Sequence, residues 1–501
     1  MGERVRLGRL ARRAFCPTEL SPTESRLLRQ HLTAALFNGI LLGSMNLGDV
    51  TLAKTLGGSP FAVTALNLLI GISYLGSLFF AGMMRGRPKA PFILLFAVVG
   101  RLGMWLLALS PRPGWFIFVL GLAWLSHSLI LVGQVSIIQR AYAAQKRTIL
   151  FGLTLSMTTA FNLIASVALG WLLQWKEGAY AIYYGVAGVA GFLGALYLGR
   201  MERALDRLQG APAGGTSAVP GSVVPAAPGA GGAAAAGGTA SAAKERAIWR
   251  AWSAETAGPA YRPMGQPGLG AALRSMRQSV RLVLSILHED ARYRRFQNNF
   301  FLYGVAFLCI TPVVPLFLVH DLQLDYRQIG LAKGLMGQAG MILFPPLLGR
   351  LMERLGPIRF SGRMFAFLAF YPLLLLFAGI GPAGWRLPLT YLAFLCFGTS
   401  MAGVNLAWHM SSLHFAGRED PSSYQAVHTF LTGLRGGFAP LLGYLLILTG
   451  TKSFAFAVSA ALLGWASLLM GRMAAEEEAL AAVGTGRPSP AGGAGAAPGM
   501  D

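Results

Sequence analysis

Charge is scarce in this chain, and acid is scarcer than base. Of 501 residues 12% are charged, 20 of them acidic and 42 basic. A soluble domain carries about twice that density of charge, so a single water-exposed globule is excluded. Cysteine is nearly missing as well. Cys16, Cys309 and Cys396 stand far apart without metal-ligand spacing, so neither a disulfide framework nor a zinc site is expected. Enzyme signatures are also lacking: there is no phosphate-binding Gly-x-x-x-x-Gly-Lys-Ser/Thr, no paired zinc ligands and no Gly-x-Ser-x-Gly nucleophile setting. His288-Glu289-Asp290 is a short polar cluster rather than a metal box. Neither catalysis nor a cofactor is expected.

Apolar residues, in contrast, make up 54% of the chain. They fall into twelve runs, at 31–50, 61–83, 91–110, 115–138, 149–173 and 178–199, then 296–319, 328–350, 362–381, 388–410, 424–449 and 453–472. Roughly 20 apolar residues span about 30 Å of hydrocarbon as a helix. Inside lipid every backbone N–H and C=O must be satisfied within the segment, which selects helices. The fold class expected is an all-α polytopic membrane protein of twelve transmembrane helices in two six-helix halves.

Basic residues resist translocation, and most Lys and Arg fall on the side that carries both termini, which places the termini in the cytoplasm. The net charge of +22 is then a positive-inside signature with attraction to anionic lipid, not a nucleic-acid footprint. The first 30 residues, with Arg4, Arg6, Arg9, Arg12 and Arg13, have no apolar core of a cleavable signal. Ala-, Gly- and Arg-rich composition suggests a GC-rich bacterial genome, hence the inner membrane.

The expected domains are a cytoplasmic segment 1–30, a first bundle 31–199, a cytoplasmic linker 200–295, a second bundle 296–472 and a disordered tail 473–501. Ser21-Pro22-Thr23-Glu24 reads as a helix start, with Ser as N-cap, Pro at the first position and Glu closing a capping box. Residues 209–243, almost wholly small or Pro, predict a disordered tether. Residues 269–294 have Leu269, Leu273, Met276, Val280, Val283, Leu284 and Leu287 at helical spacing, which predicts an amphipathic helix on the inner leaflet.

The halves echo each other. Leu169-Gly170-Trp171-Leu172-Leu173 ends the fifth run and Leu442-Gly443-Tyr444-Leu445-Leu446 the eleventh, with Thr159 and Thr432 equally far upstream. After the eighth run, Gly349, Glu353, Arg354 and Gly356 follow the pattern Gly-x-x-x-acidic-basic-x-Gly. With six-plus-six topology and a long central loop, this resembles the major facilitator superfamily. The resemblance covers the chain outside its tails and linker. It implies two bundles that rock about a substrate site near the midplane, with helices 1, 4, 7 and 10 lining the cavity and 2, 5, 8 and 11 joining the halves. In the first half the acidic position of the signature is taken by Gly86, between Arg85 and Arg87. An inner gate of inverted polarity follows as an expectation: Arg85, Arg87 or Lys89 against Glu419 and Asp420, and Glu353, beside Arg354, against Arg140 or Arg147.

Ionisable residues inside lipid are costly and are read first as functional. Asp49, at the outer end of the first span, is the candidate carrier of a coupling proton. Arg435, flanked by Gly433, Gly436 and Gly437 that leave its guanidinium room, is a candidate substrate contact, together with Lys333 and Gln338. Asn38, His127, Gln134 and Asn405 fall on the presumed cavity helices and complete the candidate binding set. Arg101, on the third span, reads as a structural group. The Gly185, Gly188, Gly191 and Gly194 stripe suits close helix contact. These features support a monomeric, proton-coupled secondary transporter of a small anionic or zwitterionic molecule, held in lipid and without nucleic acid. Multidrug efflux is the alternative within that class, and a non-transporting scaffold or sensor the alternative outside it.

Overall fold

The computed structural model describes residues 20–84, 88–142, 144–210, 277, 280, 281, 283–416 and 421–485. All regular structure among them is helical. The α-helices before the linker are α1 Pro22–Met45, α2 Gly48–Lys54, α3 Pro60–Met84, α4 Ala90–Phe96, α5 Pro113–Ala141, α6 Ala144–Trp175 and α7 Tyr180–Gly210. After it come α8 Ala291–Leu308, α9 Val313–Leu316, α10 Tyr326–Gly330, α11 Gly337–Leu343, α12 Pro345–Ile380, α13 Ala383–Ala416, α14 Pro421–Thr449 and α15 Lys452–Thr485. π-helical turns at Ala97–Arg101, Phe317–Asp321 and Leu331–Met336 interrupt three of the apolar runs.

Nine stretches among the described residues are long and apolar enough to cross a membrane, and Pro60–Leu75 is a shorter apolar helix. The first and eighth expected runs do not reach that standard, for physical reasons. α1 carries Arg26, Arg29, His31 and Asn38 and stops at Asn46, while the eighth run is divided into α10, a π turn and α11. Polar or irregular backbone at this depth is tolerated where it faces protein or a cavity rather than lipid.

Local sequence explains the ends of the elements. The capping box at Ser21 is present, with Glu24 N–H donating to Ser21 Oγ at 3.1 Å and Ser21 N–H to Glu24 Oε2 at 2.9 Å. Asp325 and Gln328 form a second box at α10. Gly356 has φ 72, ψ 160, which turns the chain inside α12 at the end of the signature loop.

Two helix crossings join the parts before and after the linker. Gly71 of α3 meets Gly436 of α14, where a Cβ on Gly436 would lie 2.9 Å from the Gly71 Cα. Gly170 of α6 meets Gly330 of α10, where a Cβ on Gly170 would lie 2.7 Å from the Tyr326 carbonyl oxygen. Glycine lets each backbone pair approach to contact. The stripe in α7 works similarly within the first half, with Gly185 under the Trp105 ring and Gly191 against Leu41.

Three boundaries differ from expectation. α7 runs on to Gly210, past the expected end at 199. The tail expected to be disordered from 473 is helical to Thr485, because Glu476, Glu477 and Glu478 pair with Arg295, Arg292 and Arg359 and hold it against the second half. The amphipathic helix expected to 294 is broken at Asp290, whose carboxylate accepts the Tyr293 N–H at 2.7 Å and caps α8. Of that helix, 283–289 is helical, with Val283 buried and Leu284 exposed. The tether expected at 209–243 falls outside the described residues from 211 onward.

Candidate functional site

The break after α1 creates the site. At Asn46 and Leu47 the helix stops, and α2 restarts at Gly48 with Asp49 in its first turn. Across the junction, the π turn Leu331–Met336 displaces Lys333 from the helical register that an uninterrupted eighth span would give it. Its ammonium donates to both Asp49 oxygens, at 2.7 and 2.8 Å. Both side chains are mostly buried, 16% and 17% exposed. This ion pair links the two halves.

Asp49 and Lys333 lie in the wall of a cavity of about 260 Å³. Asn46, Asn67, Thr311 and Gln338 supply further polar groups, and Trp124, Phe307, Tyr371, Phe394 and Phe397 an aromatic lining. Asn46 is held by donating to Asn162 Oδ1 at 2.8 Å, and Ser166 donates to the Gly43 carbonyl at 2.8 Å beside it. These bonds tie the lower wall to α6, the helix that crosses α10.

Near the pair, at the end of α2, further contacts join the halves. Lys54 Nζ donates to the Leu324 carbonyl at 2.8 Å and lies 4.9 Å over the Tyr326 ring. Tyr326 bonds Thr55 through its hydroxyl, and its N–H donates to Gln174 Oε1 at 2.9 Å. Phe61 and Tyr444 meet edge to face at 5.7 Å between ring centres.

Of the residues expected at the substrate site, Lys333 and Gln338 line the cavity with Asp49, and the others stand elsewhere. Arg435 is 6% exposed and points into α8, donating to the Phe300 carbonyl at 2.7 Å and Thr432 Oγ1 at 3.2 Å, with the Phe300 and Tyr303 rings beside it. Its room comes from Gly304, whereas Gly433, Gly436 and Gly437 face α3. Asn38 accepts from Arg101 at 3.1 Å, and Arg101 also donates to the Gly191 carbonyl. Gln134 contacts His31 at 3.3 Å, and His31 contacts Tyr142 at 3.2 Å. His127 packs edge to face on Trp124, one layer behind the cavity, and Asn405 is exposed away from it.

At the other end, Arg85, Arg87, Glu419 and Asp420 lie outside the described residues. Glu353 and Arg354 are exposed. Arg140, expected opposite Glu353, instead meets Glu202 and Asp206 of α7. Glu202 is fully buried because it also accepts the backbone N–H groups of Lys89 and Ala90 and caps α4. Sequence reasoning ranked Asp49 and Lys333 separately and missed their pairing. It also missed Thr311 and the aromatic lining, whose residue types are indistinguishable from ordinary packing.

No family model matches the sequence, and no curated protein matches it. Solved structures do match the fold. A mutant of the nucleoside transporter NupG aligns over 89% of this chain and 99% of its own, with TM-score 0.58 and 14% identity. A POT family transporter in complex with 5-aminolevulinic acid gives TM-score 0.61 at 12% identity over 90% and 96% of the two chains. The peptide transporter POT in complex with sulfate gives 0.58 at 14% over 92% and 94%. The class defined by fold and composition is a multi-pass membrane protein. It shares its architecture with these transporters.

Proposed function

We propose that the protein is a secondary transporter that moves a small anionic or zwitterionic molecule by alternating access. The observation that carries this reading is the cavity lined by residues of both halves, with one cation and one anion paired in its wall. Midplane sites between repeats, formed where helices break, are how such folds bind charged cargo. Among the neighbours that share the fold, one is described as a nucleoside transporter, one as a peptide transporter and one is in complex with 5-aminolevulinic acid, and the cavity's charges suit the zwitterionic kinds.

In this reading α1 with α2, α3, and the broken run from α10 into α12 join the nine apolar stretches as twelve spans in two bundles. Both termini are cytoplasmic in a bacterial inner membrane, and the protein works as a monomer. The cavity is open or opening toward the cytoplasm, and the Lys54, Tyr326 and Phe61 contacts form the outer gate. Asp49, Lys333, Gln338, Asn46 and Asn67 bind cargo. H⁺ is the coupling ion and Asp49 its carrier, since protonation would free Lys333 to meet an anion. Arg435 and Arg101 are assigned to helix pinning. The inner gate is assigned to Arg85, Arg87 and Lys89 with Glu419 and Asp420.

Purified protein in proteoliposomes, given labelled amino acids, short peptides, nucleosides and organic acids with and without an imposed pH gradient, tests the reading. Saturable uptake of one class, lost in Lys333→Gln, is the expected result. The aromatic lining also suits lipophilic cations, the multidrug alternative. Uptake of those alone, unchanged by Lys333→Gln, would favour it.

A further inference from the structure

The position of the Asp49–Lys333 pair says more than that charged cargo binds. It joins the halves in the cavity wall, and α2, which carries Asp49, also bears Lys54, which contacts Leu324 and Tyr326 in the other half. Opening the contacts at the end of α2 would move that helix away from the π turn and pull the two charges apart. In a site that holds them mostly out of water, neither is then compensated. Cargo that brings one ammonium and one carboxylate would replace each lost partner, the ammonium meeting Asp49 and the carboxylate Lys333. Cargo with a single charge would leave the other wall charge unpaired. The remaining lining is aromatic and apolar, and about 260 Å³ lies just below the usual range of pockets for drug-sized ligands.

Resting on the transporter reading, we infer that the cargo is a zwitterion with an apolar body, of amino-acid size, whose two charges exchange with the Asp49–Lys333 pair, so that binding and release of the outer gate are one event. The cargo then carries its own charge compensation at the gate.

The test is thermal stabilisation of purified full-length protein by phenylalanine, N-acetylphenylalanine, which lacks the ammonium, and phenylalanine methyl ester, which lacks the carboxylate. In the wild type, phenylalanine should bind at least about tenfold more tightly than either blocked form, as expected when a buried charge loses its partner. Asp49→Asn should shift preference toward the N-acetyl anion, and Lys333→Gln toward the ester cation. This reciprocal switch is something misfolding cannot imitate. Equal binding of blocked and free forms, equal weakening of all three in both variants, or binding of the anion only on acidification would overturn the inference. A second readout separates its failure from that of the transporter reading. Spin labels at Ser59→Cys and Leu448→Cys, exposed positions next to the Phe61–Tyr444 contact, report the width of the outer gate. A gate that widens under some ligand or pH, but not preferentially with the zwitterion, sinks the zwitterion alone. A gate that never widens under any condition sinks both.

Discussion

Arg435 and Lys333 are both cations within apolar runs, and from sequence they look alike. Their surroundings give them opposite parts. Arg435 donates to the Phe300 carbonyl of α8 and to the Thr432 hydroxyl of its own helix, and Arg101 donates to the Gly191 carbonyl of α7 and to Asn38 of α1, so each guanidinium pins its segment to a neighbouring helix. Lys333 instead pairs with a carboxylate of the other half in the cavity wall. Removing a buried hydrogen-bonded group costs about 1–3 kcal/mol for the acceptors left unmet, and the relief of the charge's own desolvation offsets part of that. Arg435→Met is therefore expected to fold, shift stability by no more than about 2 kcal/mol and keep ligand binding, whereas Lys333→Met loses binding of carboxylate-bearing cargo. Thermal unfolding with and without ligand checks both. Lost binding in Arg435→Met at preserved stability would return Arg435 to the site.

Helix crossings carry the next layer of argument. At Gly71–Gly436 and Gly170–Gly330 backbones touch, so any side chain must push the halves apart. Gly436→Leu should cost about 1–3 kcal/mol, as overpacking does, and slow transport more than it lowers ligand affinity. An equal loss in Gly437→Leu, whose neighbours Ile72 and Leu75 stand at 3.8 and 4.0 Å, would mean that backbone contact is not what matters. The continuation of α15 to Thr485 makes a different prediction. Three glutamates in a row meet three arginines from α8 and α12 at exposed positions, where salt screens the attraction. Exchanging Glu476, Glu477 and Glu478 for Gln should lower the melting temperature at low ionic strength. That difference should shrink toward zero in molar salt, and a difference indifferent to salt would argue against ion pairing as its cause.

For the whole molecule, orientation is the testable property. In a background lacking Cys16, Cys309 and Cys396, Ser110→Cys, between the 3₁₀ helix Leu102–Leu109 and α5, should react with a membrane-impermeant thiol reagent in intact cells. Arg203→Cys, near the end of α7, should react only after permeabilisation. The reverse pattern would invert the topology. The proposed outer gate at Lys54, Tyr326 and Phe61 would then face the cytoplasm.

Sequence by itself determined the solvent and much of the local geometry. Apolar runs as long as a bilayer is thick require helices, and the spacing of Ser21, Pro22 and Glu24 or the small residues of α7 specifies caps and close faces within a few residues. Those are short-range properties, legible because they depend on neighbours in the chain. Tertiary structure decided which polar residues meet. Asp49 and Lys333 are 284 residues apart, and their encounter depends on a break after α1, a π turn before α11 and the rotation of both helices about glycine crossings. The same packing turned Arg435 and Asn38 toward neighbouring helices and set Arg140 on Glu202. Hydropathy reports the cost of placing a charge in lipid. It is blind to the partner that offsets the cost, because that partner is fixed only when the helices pack.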